Sequence, residues 1–175
     1  ALVDELKQNR PFSSLSEEAL VAVLRTAALL RRALSRRIEK RGVSSAQYNV
    51  LRILRGAGAK GLPTLAVRDR LVEEAPGITR LIDKLERARL VARIPDRKDR
   101  RTVRCRITPA GLRLLDDLEP GLQELHALVG RALPTAASRR AFLDSLTGLR
   151  ELLNAESGSG RVRRRRFTST PSWES

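Results

Sequence analysis

Residues 90–108 read LVARIPDRKDRRTVRCRIT, and this stretch decides the fold. Two alternating apolar runs, 90–94 and 103–107, flank a charged segment at 95–101. The alternation predicts two strands of a β-hairpin, with the charged segment at its turn. That turn carries two aspartates, Asp96 and Asp99, beside the basic residues Arg97, Lys98, Arg100 and Arg101. Such a tip is suited to phosphates, because each neutralised phosphate releases condensed counterions.

Helices are predicted on both sides of this hairpin, where apolar residues recur at spacings of three and four. Ser16 precedes two glutamates and is the predicted N-cap of the first helix. Residues 44–47 form a capping-box pattern at the start of the second helix, and Thr64 can cap the third. The predicted helices cover residues 16–41, about 45–56, 65–72 and 76–89, then one that begins at residue 109 and one over about 135–155.

The order of these elements predicts the domain organisation. Short helices followed by a two-stranded hairpin are the order of a winged helix-turn-helix domain, which we place at residues 42–108. The predicted fold class is mainly α with a small β-hairpin wing, joined to a helical dimerisation domain. The helices at 109–156 repeat apolar residues in heptad-like steps, as pairing helices do. We expect an N-terminal arm at residues 1–15 and a disordered basic tail at 157–175.

Composition restricts the partner. The 175 residues include 35 Lys and Arg against 20 Asp and Glu, a formal net charge of +15. An imbalance of this size attracts polyanions, either nucleic acid or an anionic membrane surface. No apolar run is long enough to span a bilayer and no signal peptide is visible, so we expect a cytoplasmic protein without a membrane partner. Since aromatic residues make up only 3% of the chain, the core must be aliphatic.

The fourth helix is the predicted reading element, because the second helix of a helix-turn-helix lies in the DNA major groove. Its exposed stripe offers Arg80 and Lys84, which suit guanine O6 and N7, and Thr79, which can reach a base or a phosphate. The hairpin tip would reach the neighbouring minor groove. The alternative is an ordinary polar helix face, with Asp83 and Arg87 as an i,i+4 pair, followed by a solvated turn.

Chemistry-bearing residues are too few for an enzyme. We find no Gly-rich phosphate loop, no nucleophile with a base, and no paired metal ligands, so neither a catalytic site nor a cofactor is expected. One histidine and one cysteine cannot build a usual zinc site within one chain. Cys105 alternates with Val103 and Ile107, which predicts a small residue on the apolar face of a strand. Its alternative reading is a redox-responsive thiol.

The chain resembles the MarR family of transcriptional regulators over roughly residues 42–115. The resemblance is carried by AQYNVL at 46–51, PGITRLIDKLE at 76–86, LV at 90–91, DRR at 99–101 and ITPAG at 107–111. It implies a homodimer built from the first, fifth and sixth helices, bound to a pseudo-palindromic operator. It also implies that Asp99 and Arg101 hold and project the wing, while Thr79, Arg80 and Lys84 face DNA.

The resemblance further implies that a small ligand, or an oxidised cysteine, changes the spacing of the two reading helices. Tyr48, Arg52 and His126 are the candidate pocket residues, although Tyr48 and Arg52 could equally be core-edge packing and His126 a residue of a helix interface. The resulting hypothesis is a dimeric DNA-binding repressor released by an apolar or aromatic anion. Its alternatives are an architectural protein that coats DNA without regard to sequence, and a redox regulator that uses Cys105.

Overall fold

A computed structural model of the chain describes residues 1–72, 77–96 and 102–164. The chain divides into two compact units, Ala1–His126 and Ala127–Ser175. The helices are α1 (Leu2–Glu5), α2 (Leu15–Glu39), α3 (Ser45–Ala57), α4 (Thr64–Arg68), α5 (Ile78–Arg87), α6 (Pro109–Ala132) and α7 (Ala136–Arg164). The strands are β1 (Leu62–Pro63), β2 (Val91–Pro95) and β3 (Val103–Ile107), and a 3₁₀ turn at Gly58–Lys60 precedes β1. The predicted fold class, mainly α with a small β wing, is confirmed.

The helix starts follow from local hydrogen bonds, and one differs from the prediction. At α3, the Ser44 hydroxyl accepts from Gln47 N at 3.3 Å and the Gln47 side chain accepts from Ser44 N at 2.8 Å, which confirms the capping box. At α2, Ser14 is the N-cap, not Ser16: its backbone is extended and its hydroxyl accepts from Glu17 N at 3.1 Å. Ser16 cannot be the cap, because it is already the second residue of the helix, two positions after Ser14.

Three segment boundaries also differ from the prediction. The arm contains the short helix α1. Thr64 is the first residue of α4 rather than its cap. Helix α4 ends at Arg68, because the backbone bonds that follow, from Arg70 N to Val67 O and from Leu71 N to Arg68 O, span only three residues. Helix α7 continues through residues 158–164, where the disordered tail was expected. A helical glycine costs only about 1 kcal/mol relative to alanine, and no proline interrupts this stretch.

The predicted hairpin gains a third strand. The sheet order is β1-β3-β2 and both pairings are antiparallel. Cys105 of β3 stands opposite Leu62 of β1 on one side and Arg93 of β2 on the other. Gly61, just before β1, has φ +58° and approaches β3 so closely that a Cβ would lie 2.3 Å from the Cys105 carbonyl oxygen. The wing is therefore hydrogen-bonded to the helix-turn-helix through β1.

The hydrophobic core lies within Ala1–His126 and is aliphatic, as composition predicts, apart from Tyr48 and Cys105. Its members come from α2, the connection between α2 and α3, α3, α4, α5, the sheet and α6 as far as Leu122: Ile38, Val43, Tyr48, Val50, Leu51, Leu54, Leu62, Val67, Ile78, Ile82, Leu85, Val91, Cys105, Ile107, Leu115, Leu118 and Leu122. Among the described residues of Ala127–Ser175, none is buried. No helix in the described part of the chain combines the length and apolarity needed to cross a membrane.

Candidate nucleic-acid interface

Helix α5 is amphipathic in the way a reading helix requires. Ile82 and Leu85 are fully buried, so the helix is seated on the core along one face. Thr79, Arg80 and Lys84 lie on the exposed face, where the sequence analysis places them. The helix begins after Gly77, whose φ of 86° is left-handed and favours glycine. The geometry leaves these three side chains free to meet a groove.

The acidic side chains of α5 are held in ion pairs and are therefore not available to contact DNA. The Asp83 carboxylate accepts from the Arg93 guanidinium at 2.6 Å, and the Glu86 carboxylate forms a second ion pair with the same group. Arg87 donates instead to the backbone carbonyl oxygen of Asp83, at 3.3 Å. The Asp83–Arg87 side-chain pair of the alternative interpretation is therefore wrong, because Arg93 of strand β2 pairs with Asp83 instead.

Arg93 is a residue that the sequence analysis missed. The hydrogen bond to Asp83 is the main cause that raises the pKa of its guanidinium; burial opposes the rise, and Glu86 adds to it. Its signal in the sequence was weak: an arginine in the inward register of a strand, with two acids one helical turn apart on the preceding helix. Only the docking of β2 on α5 brings these groups together.

A second arginine anchors the hairpin at another place. Arg104 of β3 donates to the Lys60 carbonyl at 2.8 Å and to the Gly61 carbonyl at 3.0 Å, and its guanidinium pairs with Asp96 at 2.8 Å. The sequence analysis assigned a clamp of this kind to Asp99. In the described part of the hairpin, Asp96 makes such a clamp at the base of the turn.

The hairpin tip itself lies outside the described residues. It comprises Arg97, Lys98, Asp99, Arg100 and Arg101, and their assigned contacts stay predictions. The same holds for residues 73–76, which include the first residue of the helix predicted at 76–89.

Cys105 is fully buried in the sheet, with its Sγ 3.6 Å from the Thr64 hydroxyl. This agrees with the prediction of a small residue on the apolar strand face. A buried thiol in apolar surroundings is typically inert, whereas redox-sensing thiols are exposed and beside positive charge. Among the described residues, no group of His, Cys, Asp and Glu side chains has a metal-binding arrangement.

A cavity of about 220 Å³ lies beside Tyr48, between α2, α3 and the residues that follow α4. Its lining residues are Arg31, Leu34, Ser35, Ser45, Ala46, Tyr48, Asn49, Arg52, Leu71 and Val72. The Arg52 guanidinium carbon lies 5.8 Å from the centre of the Tyr48 ring. Burial raises the pKa of Tyr48, and the charges of Arg52 and Arg55 partly offset that rise. Tyr48 and Arg52 thus line the same cavity, and their role in binding a ligand stays a prediction.

His126 does not belong to this cavity. It is exposed on α6, and α6 contributes none of the lining residues. His126 therefore does not line this cavity, which is closed by α2 and the residues after α4 rather than by α6, and its assignment to a ligand pocket stays a prediction. The lining also includes Ser35 and Ser45, whose hydroxyls are 2.7 Å apart and which no sequence pattern singled out.

Comparison with known proteins agrees with this geometry. The family model for a winged helix DNA-binding domain matches residues 43–111. The transcriptional regulator TtmR of Methylorubrum extorquens is 30% identical over 148 residues, which are 83% of this chain and 72% of that protein. A second curated regulator is matched over 59% of its own length.

Solved structures give the same result. A MarR transcription factor from Planctomyces limnophilus is 37% identical, with a TM-score of 0.58 over 81% of this chain and 99% of that chain. CouR from Rhodococcus jostii, solved with bound p-coumaroyl-CoA, is 25% identical, with a TM-score of 0.65 over 79% of this chain and 95% of that chain. The chain belongs to the MarR family of winged helix-turn-helix transcriptional regulators, which bind DNA and are not enzymes.

Proposed function

We propose that this regulator is a repressor that binds a pseudo-palindromic operator as a homodimer and is released by a small ligand. One observation carries the DNA-binding part. The exposed charges of α5 are cationic, at Arg80, Lys84 and Arg87, while both carboxylates of the helix are held by Arg93. A reading helix needs this polarity, because a phosphate-lined groove repels free carboxylates. Binding to chromosomal DNA would place the protein in the cytoplasm.

The proposed dimer rests on unburied apolar side chains. Helix α2 exposes Leu20, Leu24 and Leu29, and its one buried residue is Ile38. The described part of Ala127–Ser175 exposes Phe142, Leu143, Leu149, Leu152 and Leu153. Apolar stripes of this extent on long helices are typical of surfaces that pair with another subunit.

The proposed effector site is the cavity beside Tyr48. It joins an apolar side, at Leu34 and Leu71, to a cationic one, at Arg31 and Arg52. This combination suits a small aromatic or otherwise apolar anion. Leu71 and Val72 shortly precede α5 in the chain, so a ligand that displaces them would move the reading helix. CouR, with its bound p-coumaroyl-CoA, supports effector binding as a property of a relative.

The test is fluorescence anisotropy against duplexes from the region upstream of the protein's own gene, with scrambled duplexes as controls. We expect the native duplex to bind more tightly than the scrambled one at the same salt concentration. Arg80→Ala should cost about 1–3 kcal/mol and relax sequence preference, whereas Arg101→Ala should weaken all duplexes and reduce the salt slope by about 1. Equal affinity for native and scrambled DNA would contradict a specific regulator.

The net charge of +15 favours a second candidate, an architectural protein that coats DNA without sequence preference. Deletion of residues 158–175 separates the two. A coating protein should lose most of its affinity with these basic residues, whereas a regulator should lose only part and keep its sequence preference.

A further inference from the structure

Arg93 connects two neighbouring elements of the winged domain, strand β2 of the hairpin and helix α5. Its Nη2 lies 2.6 Å from Asp83 Oδ1, and its Nη1 pairs with Glu86 Oε2. The backbone N–H of Arg93 also donates to Glu86 Oε1, at 3.3 Å. One residue of strand β2 therefore holds two carboxylates of helix α5 through three hydrogen bonds.

The position of Arg93 in the sheet extends this connection to the whole hairpin. Arg93 stands opposite Cys105, and β2 pairs with β3 along its full length, from Val91↔Ile107 to Pro95↔Val103. The strands that carry the predicted tip are thus tied to α5 at the middle of β2. The other hairpin anchor, Arg104, binds Asp96 and the carbonyls of Lys60 and Gly61, and does not reach α5.

We propose that Arg93 is a positioning residue for DNA binding, which holds the wing and the reading helix at one fixed separation so that both contact the same duplex. This inference rests on the proposed contacts of α5 and the wing with DNA. A guanidinium is suited to the task because its planar fork can serve two carboxylates at once, whereas a lysine ammonium acts as a point charge. Arg93 itself acts through α5 and the wing and need not touch DNA.

The first variant is Arg93→Lys in the full chain, which keeps the charge but loses the fork. We expect DNA affinity to fall on the order of tenfold at constant salt. Arg106→Lys is the matched control, since Arg106 is an exposed arginine on the neighbouring strand, and it should bind as the wild type does. If Arg93→Lys also binds like the wild type, Arg93 contributes only its charge and the proposal is overturned.

A second variant separates positioning from electrostatics by the sign of its effect. The double change Asp83→Asn with Glu86→Gln breaks the connection from the helix side and removes two negative charges. Electrostatics alone predicts tighter DNA binding for this variant. The positioning role predicts weaker binding, close to that of Arg93→Lys. Tighter binding would contradict the proposal even if Arg93→Lys proved too unstable to assay.

A double-mutant cycle tests the coupling between wing and helix directly. Arg101→Ala should cost less affinity in the Arg93→Lys background than in the wild type, because Arg93 no longer holds the wing in position in that background. Arg80→Ala, on the reading helix, should cost a similar factor in both backgrounds. Full additivity of Arg101→Ala would overturn the positioning role. The cycle can be measured on any duplex, so a failure of operator specificity alone leaves this test intact.

Discussion

Helices α3 and α2 differ in the burial of their leucine side chains. In α3, Leu51 and Leu54 are fully buried in the core that also holds α5 and the sheet. In α2, Leu20 is 56% exposed and Leu24 is 62% exposed, and burial begins only near the end of the helix, at Ile38. Both helices have an apolar stripe, but only that of α3 is covered by its own chain.

This difference shows which part of the molecule has its apolar side chains covered within a single chain. The winged domain buries its apolar side chains between α3, α5, β2 and β3, and its exposed residues include the cations of α5. Helix α2 leaves apolar side chains exposed to water. Full burial of one of its leucines would contribute about 1.5–3 kcal/mol of stabilising free energy. We therefore expect the winged domain to depend on its own core and α2 to depend on a second subunit.

The largest effect is expected in the winged core. Ile82→Ala removes a side chain with 0% exposure from the centre of α5 and leaves a cavity. The free energy of unfolding should fall by about 2–5 kcal/mol, as for other aliphatic truncations in cores. Urea denaturation followed by circular dichroism measures it.

Leu65→Ala is the matched control, because Leu65 belongs to the same winged domain but is 61% exposed. Its loss should stay within about 0.5 kcal/mol. Similar losses for both variants would show that the winged core is not the closed unit described above.

The second prediction concerns α2. Leu24→Ala should raise the dissociation constant of the dimer by about tenfold, since the truncated side chain would no longer be buried by a partner. Sedimentation equilibrium over a dilution series measures this constant. Leu65→Ala again serves as the control, with an exposed fraction of 61% against 62% for Leu24. A dimer that tolerates both changes equally would place the subunit contact elsewhere.

The elements that depend on a local residue pattern could be predicted from the sequence. The alternation at 90–94 and 103–107 predicted strands β2 and β3 to within one residue, and the capping box at Ser44 marked the start of α3. It missed β1, because two residues carry no period; Leu62 and Pro63 form a strand only through their pairing with β3.

The candidate site was predicted less completely. Thr79, Arg80 and Lys84 followed from helix periodicity and are exposed as expected. The anchors Arg93 and Arg104 depend on contacts across the fold: Arg104 binds carbonyl groups 44 and 43 residues away in the chain. No short sequence window contains both partners of such a contact. Arg93 lies only 10 and 7 residues from Asp83 and Glu86, but no periodic pattern pairs a strand residue with a helix, so its role emerges from the docking of β2 on α5.

The smallest predicted effect lies where the two helices meet, at the cavity lined by α2 and α3. Tyr48 is the single tyrosine of the chain, so absorbance at 295 nm during an alkaline titration follows this one group. Burial raises the pKa of Tyr48 from the ordinary value of 10.0, and the midpoint should therefore lie above 10.0. Because the folded state holds the proton more tightly, this contribution to stability is complete below the unfolded pKa and is lost as pH rises through the folded one.

Arg52→Gln sharpens the same measurement. The positive charge of Arg52 lowers the pKa of Tyr48, so its removal should move the midpoint higher still, whereas Arg106→Gln on the distant wing should leave it unchanged. A midpoint at or below 10.0, or a downward shift in Arg52→Gln, would contradict a buried phenol beside a guanidinium. If both shifts appear, Tyr48 is a neutral hydroxyl at physiological pH, able to donate a hydrogen bond to an anion that Arg52 attracts into the cavity. The border between the winged core and helix α2, which we expect to pair with a second subunit, would then be the place where a ligand affects both.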